Sequence, residues 1–426
     1  MNTFKYIQFF TLSILMNLIS GSLMSQNIFA LFEKKNLVKF NSVLAKKPDL
    51  VNLLNYEGSS VLHLAARNNS FAFIKAALNY GASINLQDSS GCTALMYAVR
   101  NGNLENSQYL FSKGGDLEIR DHGGRTAIFY SLENSQVFEW IINSGADINV
   151  RKNDSTTFLM YTILYGTPDM VLYLLNHNVN VNEQDFLFKT ALHDAVLIGN
   201  IHVVEALIQK GAGIDKTDMD GISPLMSACS LGDLDIIKYL CIEGADICMT
   251  DHFGNDALCY ATKSRKLVCI KWIIEYALEK GINCIRMGEA LKIAVYYNDI
   301  VPTEFLLKNG ADPNYKDKEE LTPLMYLFIS PESASSDKEY SILLNGETLI
   351  DLMLKYGVNL NAHDGDGYTT LMYCAMNGFI TLADYLIGKG ANPNLRNKDG
   401  LTAEELAKIY GLKKTKRVVR EVPTFK

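Results

Sequence analysis

Apolar and polar positions follow one pattern from residue 25 almost to the C-terminus, and the pattern repeats. Each block opens with polar turn residues and a glycine. Thr or Ser stands two residues later, followed by an apolar pair: Gly91-Cys92-Thr93-Ala94-Leu95, Gly221-Ile222-Ser223-Pro224-Leu225 and Gly400-Leu401-Thr402-Ala403. A short run rich in leucine and alanine comes next, as in Leu64-Ala65-Ala66. An amphipathic run such as Ile236-Ile237-Lys238-Tyr239-Leu240 follows it. Apolar residues three and four apart line one face of a helix. Each block therefore predicts a turn, a short helix with a narrow apolar face and a second, amphipathic helix. With the turn glycine as marker, the blocks fall at Ser25, Gly58, Gly91, Gly124, Ser155, Phe188, Gly221, Gly254, Met287, Glu320, Gly367 and Gly400. Nine of the eleven spacings are 33 residues; Gly124 to Ser155 is 31 and Glu320 to Gly367 is 47. A fixed period of this length marks a stack of units, because one unit cannot bury its apolar face alone.

The residues at the block boundaries suit these elements. Thr or Ser caps the first helix by accepting a backbone N–H bond, and proline at the next position loses nothing by lacking an N–H. The second helix ends in a stop of the type Gly81-Ala82, Gly145-Ala146-Asp147, Gly244-Ala245-Asp246, Gly310-Ala311-Asp312 or Gly390-Ala391-Asn392. Glycine there fits a left-handed C-terminal cap. An aspartate three residues before the marker recurs at Asp88, Asp121, Asp185, Asp218, Asp251, Asp317 and Asp364, and aspartate forms turns by bonding its own local backbone.

The first helix opens on Ser60-Val61-Leu62-His63, Thr190-Ala191-Leu192-His193, Ser223-Pro224-Leu225-Met226 and Thr322-Pro323-Leu324-Met325. This resembles the Thr-Pro-Leu-His signature of the ankyrin-repeat family. The resemblance runs from about Ser25 to Leu412. It implies an all-α solenoid of about twelve helix–turn–helix units joined by β-turns or hairpins, with atypical caps at Ser25 and Gly400. It also implies that His63 and His193 tie the turn backbone. In this family the turn tips and the exposed side of the first helix line a concave groove that binds other proteins. Departures stand at Met287, which lacks the signature, at Gly254, whose second helix runs on to near Gly281, and at Gly124, whose first helix is two residues short.

Charge changes the picture at the two ends. The chain carries −7. Residues 1–24 hold +1, from Lys5, and 412–426 hold +5, which leaves about −13 on the array. So acidic an array argues against nucleic acid as a partner. The tail 413–426, with Lys413-Lys414-Thr415-Lys416-Arg417, is expected to be a solvated end. Residues 6 to 32 carry no charge. Lys5, the apolar stretch Ile7 to Ile19 and the small residues Ser20, Gly21 and Ser22 follow the order of a secretory signal. Cleavage before Leu23 would remove residues 1–22 and export an array of residues 23–412. The alternative is a membrane anchor through residues 6–25, if the segment stays uncleaved.

Eight cysteines are present, five of them between Cys241 and Cys284. Equivalent positions in adjacent units lie about one helix spacing apart, roughly 8–10 Å, too far for a bridge. Off-register pairs such as Cys229 with Cys259 stay open, but the expectation is eight reduced, buried thiols. The histidines form no constellation; His122 and His252 sit at turn tips. No phosphate loop, nucleophile elbow or zinc motif occurs. Leu-Met-Tyr recurs at Leu95, Leu159, Leu324 and Leu371, its Met standing at the signature His position, where core packing explains it. No cofactor and no metal are expected.

The groove positions are polar in the early repeats, at Ser89, Ser90, Arg100 and Asn101. They turn apolar from the unit at Ser155 onward, at Leu164, Tyr165, Phe186, Leu187, Leu197, Ile198, Met219, Ile222 and Leu231, a trend that Tyr296 and Tyr297 continue. Partner contacts are expected at Tyr165, Phe186, Leu187, Leu197, Ile198, Met219 and Ile222, unless some of these pack between turns. The residues around Ser330 to Ser336 form a loop-like insertion of about 14 residues between two helices. The chain reads as a monomeric, exported, non-catalytic binder of another protein. An enzyme or small-ligand site in the degenerate repeats 254–320 is the runner-up, although no cluster of polar residues is visible there; a structural spacer is the third reading.

Overall fold

The computed structural model describes residues 28–329 and 336–411. The uncharged segment 1–22 and the basic tail 413–426 lie outside the described residues. Within them the chain is helical, with antiparallel bridges only at Arg151–Thr157 and His363–Thr369. It divides into two compact units, one ending at Gly213 and one beginning at Ile214. Each unit is built from the turn–helix–helix repeat. No helix among the described residues is long and apolar enough to cross a membrane.

The repeat at Gly91 shows how the local sequence makes the element. Asp88 Oδ1 accepts from the backbone N–H of Ser90 and Cys92 at 2.9 and 3.0 Å. Gly91 takes a φ of +78° to close the turn, a conformation that costs glycine nothing. Thr93 Oγ1 then caps helix Ala94–Arg100 by accepting from Met96 N. Leu95, Met96, Ala98 and Val99 are buried along it. Helix Leu104–Ser112 returns and ends before Gly114 at φ +94°. His63 ties the adjacent turn: its ring bonds Ser60 on one side and the carbonyls of Leu86 and Cys92 on the other, at 2.8 and 3.1 Å. Where Met replaces this His, its sulfur takes the same place, 3.4 Å from Thr93 N.

A second ladder links successive repeats and has no counterpart in the sequence reading. Four residues after the stop position, held by Gly81, Asn178 and Gly310, an Asn bonds forward to the next repeat with both ends of its amide. Asn85 donates to Gly114 O at 3.1 Å and accepts from Asp116 N at 2.9 Å. Asn182 does the same with Gly211 and Gly213, and Asn314 with Gly357 and Asn359. Each amide satisfies one orphan carbonyl at a helix C-terminus and one turn N–H.

The irregular repeats differ as their spacings predict. The two residues missing after Gly124 turn the first helix into the 3-10 helix Ala127–Glu133, whose steeper rise covers the span with fewer residues. The second helix at Gly254 is Leu267–Lys280, capped by Gly281 at φ +66°. The insertion departs from expectation. Residues 330–335 lie outside the description, but the chain is helical from Ser336 to Lys355. Most of the extra length thus extends a second helix to 20 residues, against 9 in Leu234–Ile242.

The cysteine expectation is corrected at one pair. Cys248 and Cys284 form a disulfide, with Cα atoms 5.6 Å apart. They are 36 residues apart, not 33, so they are not equivalent positions and the helix-spacing argument does not apply. The long helix Leu267–Lys280 delivers its following segment against the preceding turn, where Cys248 sits. The other six cysteines, Cys229 and Cys259 included, are free and buried. Burial pushes the Cys241 thiol up to about 12.

Candidate functional site

The turn aspartate does more than close its turn. Its second oxygen, Oδ2, accepts from a tyrosine hydroxyl nine residues on, in the first helix of the same repeat. Tyr97 donates to Asp88 at 2.6 Å, Tyr130 to Asp121 at 2.5 Å, Tyr260 to Asp251 at 2.8 Å, Tyr373 to Asp364 at 2.6 Å, and Tyr326 to Asp317. The recurrence of Leu-Met-Tyr carried this signal, in its tyrosine rather than its methionine. In these five repeats the pairing ties the turn tip to its helix.

Two of the seven turn aspartates lack this partner: nine residues on stand Ser227 after Asp218 and Asp194 after Asp185. In the unit at Phe188 the turn keeps Asp185, whose Oδ1 accepts from Leu187 N and Lys189 N at 2.8 and 2.9 Å. The tyrosine position is Asp194, on helix Ala191–Ile198, only 8% exposed. Burial first, and the charge of Asp185 second, push the Asp194 carboxyl up to about 7, against a smaller opposing pull from Lys189. The same repeat has Phe188 where most others have the marker glycine, at φ +59°. A bulky residue held in the left-handed region costs on the order of 1–3 kcal/mol. Its ring and that of Phe186 are 57% and 62% exposed.

The expected partner contacts divide among the units. Tyr165, Phe186, Leu187, Leu197 and Ile198 belong to the N-terminal unit; Met219 and Ile222 belong to the C-terminal one. Tyr165, at 68% exposed, and Phe186, Leu197, Ile198 and Met219 all face solvent, whereas Leu187 and Ile222 are half-buried. Phe188 and Phe253 are exposed at turn tips and were missed, Phe188 because it occupies a marker position.

Within the N-terminal unit the residues form two groups. Phe186 and Phe188 stand on the turn before helix Ala191–Ile198. Leu197 and Ile198 close that helix, and Tyr165 closes its neighbour Phe158–Tyr165. Eight helical residues rise about 12 Å, so the groups mark opposite ends of the first helices. The far end holds a crevice of about 60 Å³ lined by Ile163, Pro168, Val171, Ala195, Ile198 and Val203. In the early repeats the tips are occupied with one another. Ser89 Oγ donates to Glu57 O, and Ser90 O accepts from His122 N at 3.1 Å.

The degenerate region does contain a polar cluster, contrary to the sequence reading. Helix Met287–Tyr296 begins at the marker position itself, so the usual turn is lost. Glu289 accepts from Tyr315 at 2.8 Å and pairs with Lys292 at 2.5 Å and Arg286 at 3.6 Å; Lys292 also reaches Asp317 at 3.3 Å. The residues come from one helix with its N-cap and from the turn of the next repeat, a separation that concealed their convergence. Two cations neutralise two carboxylates, so the cluster braces the gap left by the turn. Among the described residues no group of His, Cys, Asp or Glu is arranged to hold a metal ion.

The model of the family described as "Ankyrin repeats (3 copies)" matches residues 28–121, 114–185, 192–286, 225–317 and 339–417. A putative ankyrin repeat protein of fowlpox virus is 31% identical over 143 residues, covering 33% of this chain and 90% of the viral protein. Alpha-latrocrustotoxin-Lt1a of Latrodectus tredecimguttatus is 28% identical over 140 residues, which cover 32% of this chain and 9% of the toxin. A putative ankyrin repeat protein of Rickettsia bellii is 27% identical over 134 residues, 30% of this chain and 36% of that protein. The chain thus spans well under half the length of the last two relatives. A solved complex of a predatory endopeptidase from Bdellovibrio bacteriovorus with an immunity protein contains a chain 28% identical to this one. The match covers 43% of this chain and 98% of that one, with a TM-score of 0.40.

Proposed function

The chain belongs to the ankyrin-repeat family, and from that premise we propose that it binds a partner protein without catalysis, through the groove side of its repeats. Ankyrin repeats mediate protein–protein interaction, and proteins built from them are typically non-catalytic. The observation that carries the reading for this chain is the display of Phe186 and Phe188 in solvent, one of them on a strained backbone. Buried turn positions would relieve that exposure and a glycine would relieve the strain. A surface that keeps both is suited to an aromatic anchor. A spacer has no use for it, and the polar cluster at Glu289 is internally paired.

Export belongs to the same proposal. The order of residues 1–22 supports it, and so does a disulfide at Cys248–Cys284, since such bonds persist in oxidising compartments. The test is affinity capture under mild crosslinking, with the native chain and with Phe186→Ala and Tyr165→Ala. A specific partner lost with the anchors supports the reading; equal capture by both variants sinks it.

A further inference from the structure

The turn at Asp185 is one of two where a turn aspartate lacks its tyrosine, and the one where an acid takes the tyrosine position. At five other turns a tyrosine hydroxyl satisfies Oδ2 of the turn aspartate. Here the tyrosine position, nine residues after Asp185, holds a second acid, shorter by a whole ring and near enough for the charge of Asp185 to act on it. Among the described residues no hydrogen bond reaches the Asp194 carboxyl, although its residue is 92% buried. Burial disfavours the charged form of an acid that has no donor, and a cation arriving beside it would stabilise that form. Lys189 acts on the site only at a distance, as a weak opposing charge. Beside the pair stand the exposed rings of Phe186 and Phe188.

We propose that this site takes a lysine or arginine side chain of the partner protein, its cation between Asp185 and Asp194 and its apolar neighbours on Phe186 and Phe188. The inference rests on the protein-binding reading and specifies the chemistry of the partner: a basic residue flanked by apolar or aromatic ones. A bare divalent ion fits less well, since two carboxylates supply too few oxygens for it and leave the phenylalanines without a role. An aromatic wall beside a cation site is favourable in its own right.

Random peptides displayed on phage and selected against the full chain test this directly. Enriched sequences are expected to carry Lys or Arg between apolar residues. A synthetic peptide from the selection should lose roughly tenfold or more in affinity on Asp194→Asn. Changing its basic residue to Gln should cost the same on the native chain and nothing further on D194N. Asp194→Tyr, which restores the tyrosine of the other repeats, should lose the basic preference too. The Gln peptide requires no altered protein, so the test survives a variant that fails to fold. Peptides that depend on Phe186 but show no basic preference would overturn the inference and leave the protein-binding reading standing. If no selected peptide depends on Phe186, Tyr165 or Asp194, both fall.

Discussion

The turn aspartate Asp364 shows how much one side chain can carry. One carboxylate oxygen shapes its turn, and the other holds a tyrosine on the following helix. Removing the hydroxyl of Tyr373 leaves Asp364 Oδ2 short of a donor in a buried place. A hydrogen bond to a charged group contributes about 1.5–3 kcal/mol, so Tyr373→Phe should lower stability by about that much in a denaturant titration. Asp194 predicts the opposite kind of dependence. Its carboxyl titrates in the folded chain at about 7 rather than the ordinary 3.8. A carboxyl raised on folding contributes stability that is complete below about pH 4. That contribution is lost as pH rises through 7, by up to about 4 kcal/mol. Thermal unfolding from pH 4.5 to 8 should therefore fall more steeply for the native chain than for Asp194→Asn, and the variant should be the more stable at pH 8. Parallel curves would refute the assignment.

Helices and turns account for the irregular spacings. Two missing residues become a 3-10 helix, and an insertion becomes a helix of 20 residues. A lengthened helix at Leu267–Lys280 shifts the following segment far enough to pair Cys248 with Cys284. Alkylation of the denatured chain without reductant should label six of the eight cysteines, and all eight after reduction. Closing a loop of this length by a disulfide typically contributes about 2–4 kcal/mol. Cys248→Ser should accordingly destabilise the C-terminal unit, measured by hydrogen exchange across residues 254–317, and leave the exchange of residues 58–150 unchanged.

For the whole chain, the array presents acidic sides and a few exposed rings. Phe186→Ala should weaken partner binding by about 1–4 kcal/mol, as large apolar anchors do. Ser89→Ala, at a tip already bonded to Glu57, should change binding little. Mass spectrometry of the native protein should find a mature terminus near Leu23; an intact Met1 in a soluble cytoplasmic fraction would defeat export. The period, the caps, the stops and the irregular units were legible in the residues, because each is decided within about ten positions of chain. The His63 tie followed from family resemblance alone. What the residues could not disclose lies between repeats. The Asn85 and Asn314 ladders, the brace around Glu289, the off-register disulfide and the partial burial of Leu187 and Ile222 depend on distances set by helix length and stacking. So does the nearness of Asp185 to Asp194. A pattern of period 33 says which side chains occur at equivalent places; only packing decides which of them meet, since contact depends on where each helix ends rather than on how often its residues recur.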